Sequence, residues 1–480
     1  MTDRRKFIKT VGIASVGLLP GLSSLGGSSG RSYISKRPAS DKRRFISSAV
    51  EETILEVKKA IADQELAWMF ENCFPNTLDT TVTYTEKNGN PFTYVITGDI
   101  DAMWLRDSSA QVWPYLPLAN KDEKLKKLLK GVIAKQTEFV LLDPYANAFY
   151  NDPARISEWK DDITSMKPGV HEHKWEVDSL CYVIRLAYGY WKNTRDVSSF
   201  DHTWQEAMKL IIQTFREQQR MKNDGPYHFQ RLAVNPTDSQ FGSGYGNPTK
   251  KIGLIHSMFR PSDDSTIFPF LISSNMFAVV SLRQLGEIFG TALANKEMEK
   301  ECTSFASEID LVLKQYAILQ HPTAGKIYPI EIDGFGNALF MDDANVPNLL
   351  SLPYIGYCQS TDPVYINTRR FSLSHANPWF NEGKFGEGIG GPHVGGKKIW
   401  PLGLVIQAIT SNDNKEIINC LTILKKTHAG TGFIHESYNV DNPQDFSRSW
   451  FAWANTIFGE LILKLYHEKP EILKIQIGLT

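Results

Sequence analysis

The sequence is poor in cysteine, has no excess of charge of either sign and, past its first segment, has no long apolar run; each shortage removes a class of protein. Its five cysteines, Cys73, Cys181, Cys302, Cys358 and Cys420, lie far apart with no CxxC pair and no histidine at the spacing of a structural zinc site. Buried thiols and no essential disulfide are expected, because a chain this long does not need covalent staples. Lysine plus arginine (52) nearly balances aspartate plus glutamate (53), for a formal net charge of -1. That excludes a strongly polyanionic partner such as nucleic acid and fits a neutral substrate. No segment reaches the ~18 uninterrupted apolar residues of a transmembrane helix. There is no GxxxxGK[ST] loop and no GxSxG elbow, which removes nucleotide hydrolysis of the P-loop type and leaves acyl transfer without support. His171-Glu172-His173 lacks the i, i+4 spacing of a zinc metalloenzyme, so no metal and no cofactor are expected.

What is present is a chain of 480 residues, 42% hydrophobic and 11% aromatic, enough for a large buried core. MTDRRKFIK gives a basic start with Arg4-Arg5, and Val11 to Leu19 a short apolar run, together the pattern of an export signal, with Arg4-Arg5 and Phe7 resembling a twin-arginine leader. An exported, periplasmic protein is expected, with residues 1–44 as signal and disordered lead and a single catalytic domain over 45–480. Helical periodicity runs over Ser47 to Phe70, Lys121 to Leu142, Lys174 to Trp191, Trp204 to Arg220, Ser274 to Phe289, Ala294 to Leu319, Leu402 to Thr410, Asn414 to Lys426 and Trp450 to Leu465. Thr80 to Glu86 and Phe92 to Thr97, around Asn88-Gly89-Asn90, predict a hairpin. Helices joined by long loops, without a fixed repeat, predict an all-α toroid of paired helices with minor β-hairpins and a working face made by the loops.

Polar and aromatic residues crowd into a few of those loops. Gly98 to Ser108 holds Asp99, Asp101, Asp107, Trp104 and Arg106, a set suited to gripping vicinal hydroxyls because carboxylates accept and arginine donates, although Asp107 or Ser108 alone could be a helix cap. Phe259 to Ser265 places Asp263 beside Asp264 after Arg260-Pro261; crowded acids in a closed pocket repel, which favours keeping one protonated as a general acid must be. Gly432 to Tyr438 carries Glu436, placed to activate a water, with His435 beside it as a hydrogen-bonding support. Glycine-dense Gly383 to Gly396, with His393, reads as a lid or pocket wall.

GDIDAMWLRDSSAQ (98 to 111), KWEVDSLCY (174 to 182), FRPSDD (259 to 264), SSNMFAVV (273 to 280), HESYNVDNP and RSWFAWAN closely resemble glycoside hydrolase family 125, the metal-independent exo-α-1,6-mannosidases, and the resemblance runs through the whole chain after the leader. It implies an (α/α)6 barrel that removes a terminal mannose from a mannose-containing oligosaccharide or N-glycan, with inversion and without a metal. It also implies a general acid in RPSDD, Asp263 or Asp264 with Asp263 preferred, and Glu436 as general base. Asp99, Asp101, Trp104, Arg106 and Asp107 would wall the sugar site, with Trp175, Arg260, His393 and His435 as further members. One departure, Ser273-Ser274 where a proline-containing pair is expected, lies away from the acids. The competing readings are another exo-α-glycosidase such as an α-glucosidase, a noncatalytic glycan-binding protein and, less in keeping with the neutral charge balance, a polysaccharide lyase.

Overall fold

The computed structural model describes residues 33–232 and 235–478. The signal expected over the first residues lies outside the described part. Its main helices, in chain order, are α1 (Ser48–Ala60), α2 (Gln64–Cys73), α3 (Asn76–Thr80), α4 (Leu105–Val112), α5 (Glu123–Leu142), α6 (Val177–Thr194) and α7 (His202–Gln218). They continue with α8 (Ile272–Glu287), α9 (Lys296–Tyr316), α10 (Leu352–Ile355), α11 (Pro363–Ser372), α12 (Pro401–Ile409), α13 (Asn414–Thr427) and α14 (Ala452–Glu468). The even-numbered helices from α4 onward form an inner ring: α4 packs on α6, α6 on α8, α8 on α10, α12 on α14, and α14 closes back on α4. The others stand outside it, as α5 does against α6, α9 against α8 and α13 against α12. This alternation is the expected (α/α)6 toroid.

Burial explains the two rings. α4 is buried at every position and α6 and α8 along most of their length, whereas α1, α7 and α9 bury one stripe and leave the rest to solvent. The helix starts differ in the same way. Each long outer helix is opened by a side chain that accepts from a first-turn N–H: Ser47, Asp122, Asp201, Asn295, Asp362 and Asp413. The inner helices are preceded by Trp104, Glu176, Leu271, Ser351, Trp400 and Phe451, which cap nothing with their side chains. Their first N–H groups go to other loops instead, Leu105 N to Asn147 O, Val177 N to Ser257 Oγ and Ala452 N to Thr97 O, and their positive dipole ends favour acids in the first turn, where Asp107 and Asp178 stand.

The hairpin expected around Asn88-Gly89 is Val82–Lys87 paired with Asn90–Val95, Lys87 facing Asn90. Both turn residues have positive φ, 52° and 79°, as a two-residue type I′ turn requires. Three expectations change. Ser47 to Phe70 is two helices, because Asp63 accepts from Leu66 N (2.9 Å) and starts a second one. Part of the Gly98 to Ser108 loop is helix, α4. The stretch Lys36 to Arg44, expected as disordered lead, is docked on the domain: Lys36 N donates to Asn72 Oδ1 (2.8 Å), and the Arg37 guanidinium, almost buried, bridges Asp79 (2.7 Å) and Glu51 (2.5 Å). Just before it, Tyr33 packs on Trp68, whose indole N–H donates to Ile34 O (2.6 Å). The five cysteines are free thiols, and no described helix is long and apolar enough to cross a membrane.

Two small sheets carry the loops that matter for function. One joins Ala148–Phe149, at its centre, to Met103–Trp104 and Val170–Glu172; the other joins Ser437–Asn439 to Lys398–Ile399 and Asn442–Ser447.

Candidate active site

A recess of about 380 Å³ opens where α4, α12 and α14 begin. Its aromatic wall is Trp104, Trp400, Phe451 and Trp453, three of which stand at or just before an inner helix start. Its polar wall is Arg106, Asp107, Asp263, Asn345, His393, Glu436 and Arg448. The strand-like contact of Gly98 with Phe451, and the Asp99 N–H donating to Trp450 O (3.2 Å), clamp the first loop to the last. Gly98 sits at φ 135°, and any Cβ there would run into the Trp450 carbonyl.

Three acids face this recess, Asp107 beside Arg106 on the first turn of α4, and Asp263 and Glu436 from two separate loops. Asp263 sits at φ 68°, a left-handed conformation that costs a non-glycine residue energy and persists only where its surroundings hold it. They do: Asp263 N donates to Arg260 O (2.9 Å), Arg260 N donates to Asp264 O (2.8 Å), and Lys174 Nζ donates to the Asp263 carbonyl (2.8 Å). The Asp263 carboxylate accepts from Asn147 Nδ2 (3.4 Å) and lies 3.6 Å from Arg106. Glu436 accepts from Ser447 Oγ (2.8 Å) and lies 3.6 Å from Arg448, which in turn holds Asp99 (2.5 Å) and donates to Thr97 Oγ1 (2.8 Å).

Asp264 is elsewhere. It is fully buried behind the wall, accepts from Ser262 Oγ (3.0 Å) and lies 3.7 Å from His393 Nδ1. Burial pushes its carboxyl up, but His393, Thr237 and Arg260 outweigh that and hold it below the usual range. Reciprocally, burial pulls the His393 imidazole down while Asp264, then Glu436 and Asp263, push it up to about 9. His393 is therefore a cation in the wall at neutral pH. It loses that charge as pH rises through about 9. Activity (kcat/KM) is expected to fall across the same range, and in Asp264→Asn that limb should move toward the ordinary imidazole value, about 6.5. A pH–rate profile whose alkaline limb is identical in the variant would remove His393 from the working parts.

Arg106 organises the other side. Its Nη1 donates to Glu176 (2.6 Å) and Asp178 (3.1 Å), and it lies 3.7 Å from Asp107 and 3.6 Å from Asp263. Two acids on one guanidinium nitrogen cannot both be comfortably ionised out of water. Burial pushes Glu176 well up and Asp178 up, with Arg106 opposing. Asp107 rises to about 6, chiefly by burial, against the pull of Arg106 and Arg448, and is ionised at neutral pH.

Of the residues singled out from sequence, Trp104, Arg106, Asp107, Asp263, His393 and Glu436 meet at the recess. Asp99 stands one step back, on Arg448. The others do not line it. Asp101 is exposed and paired with Arg155 (2.8 Å). Trp175 is buried, its indole N–H on His256 O (2.6 Å) and its carbonyl accepting from Met258 and Phe259 N–H, so it supports the Asp263 loop from beneath. Arg260 is buried against Glu331 (2.6 Å), whose other oxygen holds the backbone N–H groups of Ile267 and Phe268. His435 stacks on Phe446 (3.7 Å), and burial takes its pKa down to about 4, so it is neutral and structural in position. The His171-Glu172-His173 side chains have separate partners: Tyr150 for His171, Arg231 for Glu172 and Asp143 with Thr164 for His173. Among the described residues no group of three or more His, Cys, Asp or Glu is arranged to hold a metal ion.

Sequence reasoning missed Arg448 and Asn345. Arg448 lies in RSWFAWAN, but its hydrogen-bond partners Asp99 and Thr97 are over 300 residues away in sequence. Asn345 is fixed by Asp343 Oδ1, which accepts from both its backbone N–H (2.8 Å) and its side-chain Nδ2 (3.0 Å). The available signal was Asp342-Asp343 beside Pro347, adjacent acids near a proline as in the Asp263 loop. The glycine-rich segment does supply wall: His393 comes from it, and a Cβ at Gly391 would sit 2.9 Å from Asp343 Oδ2.

A small recess walled by aromatic rings and acids has the side chains that cleaving a glycosidic bond with paired carboxyl groups requires. Comparison with known proteins makes this specific. The family model for metal-independent α-mannosidases, glycoside hydrolase family 125, matches residues 63–463. The chain is 42% identical over 457 residues to the meiotically up-regulated gene 157 protein of Schizosaccharomyces pombe, covering 92% of this chain and 90% of that one. It is also similar to a solved Streptococcus pneumoniae metal-independent α-mannosidase, described as a non-productive complex with α-1,6-mannobiose. That match has a TM-score of 0.84 and 41% identity, over 90% of this chain and 100% of that one. A bacterial glucoamylase shares the fold, with a TM-score of 0.53 and 11% identity over 87% of this chain and 59% of its own. The chain belongs to glycoside hydrolase family 125. It is a glycoside hydrolase of the α-mannosidase class, which decides against the α-glucosidase and noncatalytic readings.

Proposed function

We propose that the protein is an exo-acting α-1,6-mannosidase that inverts configuration, works without a metal, and uses Asp263 as general acid and Glu436 as general base. The observation that carries the reading is that Asp263 and Glu436 come from different loops to one recess with an aromatic wall, while Asp264 is turned away behind it. In the reaction, Asp263 gives its proton to the glycosidic oxygen as the bond to the anomeric carbon breaks. Glu436 takes a proton from the water that attacks that carbon from the other face, leaving mannose with its anomeric hydroxyl inverted. Arg106, Asp107, Asn345 and His393 bind the hydroxyls of the terminal mannose, and Trp104 and Trp400 pack its apolar faces. The linkage assignment is supported by the mannobiose bound to the pneumococcal relative.

The test is mannose release from α-1,6-mannobiose in excess EDTA, with the first-formed anomer followed by NMR. Release that survives EDTA and appears first as β-mannose is expected. First-formed α-mannose would end the inverting assignment, loss in EDTA the metal-free one, and no release the linkage.

A further inference from the structure

Beside the active site lies a second, open recess, lined by Tyr150, Arg155, Ile156, Ser157, Glu158 and Lys160. Nothing in the chemistry above uses it. The two recesses are neighbours across the sheet of Met103–Trp104, Ala148–Phe149 and Val170–Glu172. Trp104 faces the active site and packs in one apolar cluster with Tyr150, which faces the second recess. Both rings contact His171 at 5.0 Å between centres, so they lie within about 10 Å of each other. The 98–104 loop spans the same interval, with Ile100 lining the active site and Asp101 reaching Arg155 (2.8 Å) in the second recess.

The lining describes its ligand. Arg155 is neutralised by Asp101 and packs over the Tyr150 ring at 3.9 Å, which fixes it as a directed donor rather than a free charge. Glu158 and Lys160 add one acid and one base, so the recess has no net charge with which to select an anion. Ile156, 60% exposed, offers an apolar surface among these polar groups. Balanced donors and acceptors around an apolar patch suit a neutral polyhydroxylated ring, whose hydroxyls need both and whose C–H face needs packing.

We propose that this recess is a distal subsite for the leaving-group end of the mannoside, binding a sugar beyond the one whose bond is cut. The proposal rests on the α-1,6-mannosidase reading above. It makes the enzyme selective for chain length: the terminal mannose enters the closed recess, and the far end of a longer glycan settles on Arg155, Ile156, Glu158 and Lys160.

The experiment compares kcat/KM on α-1,6-mannobiose and α-1,6-mannotetraose for the full chain and for a variant carrying Ile156→Ser, Glu158→Ser and Lys160→Ser, all at exposed positions outside the catalytic recess. The native enzyme is expected to prefer the tetraose by at least about tenfold, the weight of one or two good hydrogen bonds. The variant should lose that preference while its mannobiose kcat/KM stays at the native value, which also shows that it folds. Equal native rates on both substrates, or an equal loss on both in the variant, would overturn the subsite. A native enzyme that cleaves neither sugar would instead overturn the mannosidase reading, and the subsite with it.

Discussion

Glu436→Gln is expected to lower kcat on α-1,6-mannobiose by about 10³-fold with little change in KM, within the about 10²–10⁴ that a positioned acid or base contributes. The argument is local. Glutamine keeps the shape and can still accept from Ser447 Oγ, which now donates to Glu436 at 2.8 Å. Arg448, 3.6 Å away, keeps its closer partner Asp99 at 2.5 Å. What goes is the ability to take a proton from water. The variant therefore isolates the proton transfer from the binding, and a small anionic nucleophile that needs no deprotonation bypasses the lesion. Added azide is expected to restore turnover and yield β-mannosyl azide. A variant that keeps activity within about tenfold of the native enzyme, or one that azide fails to rescue, would remove Glu436 from the role of base.

How much of this was visible in the sequence depends on whether a feature is local. The outer helices were legible because each is amphipathic and several are opened by an acid or a serine in plain view, Asp122, Asp201 and Asp413 among them. α11 went unread although Asp362-Pro363 is a strong helix opening, because its apolar stripe is short. The polar run from Gly98 was legible as a site, with Asp107 or Ser108 open as a cap, but the helix begins earlier, at Leu105 behind Trp104, since inner helices lack the capping side chains that mark the outer ones. Arg260, Trp175 and His435 stand beside working residues in sequence and were grouped with them. In the fold each is turned into the protein, where it holds the backbone of the loops: Arg260 through Glu331, Trp175 through its own carbonyl. Arg448 shows the converse: its role comes from Asp99 and Glu436, and a partner on the far side of the chain leaves no periodic trace.

The order of Asp263 and Asp264 was beyond the sequence because nothing in two adjacent identical residues says which way each points. At the left-handed turn of Asp263 one carboxylate lines the recess and the other lies behind it, which is why the proposed acid is Asp263. The two variants should accordingly fail in different ways. Asp263→Asn removes the proton for the leaving oxygen, so its loss should depend on how much the leaving group needs one. A loss of about 10³-fold on α-1,6-mannobiose is expected, against a loss of less than about tenfold on an activated aryl α-mannoside such as the 2,4-dinitrophenyl compound, whose phenolate departs unprotonated. Asp264→Asn should show no such dependence. It takes the partner from His393 and so weakens a fixed cation in the wall, which lowers kcat/KM on both substrates alike and moves the alkaline limb. The ratio of the two substrates' rates, rather than the size of either loss, is thus the informative quantity, because misfolding or a displaced wall lowers both together. If Asp264→Asn proved leaving-group dependent and Asp263→Asn did not, the acid would be the buried residue, and the loop would have to turn over for substrate to reach it.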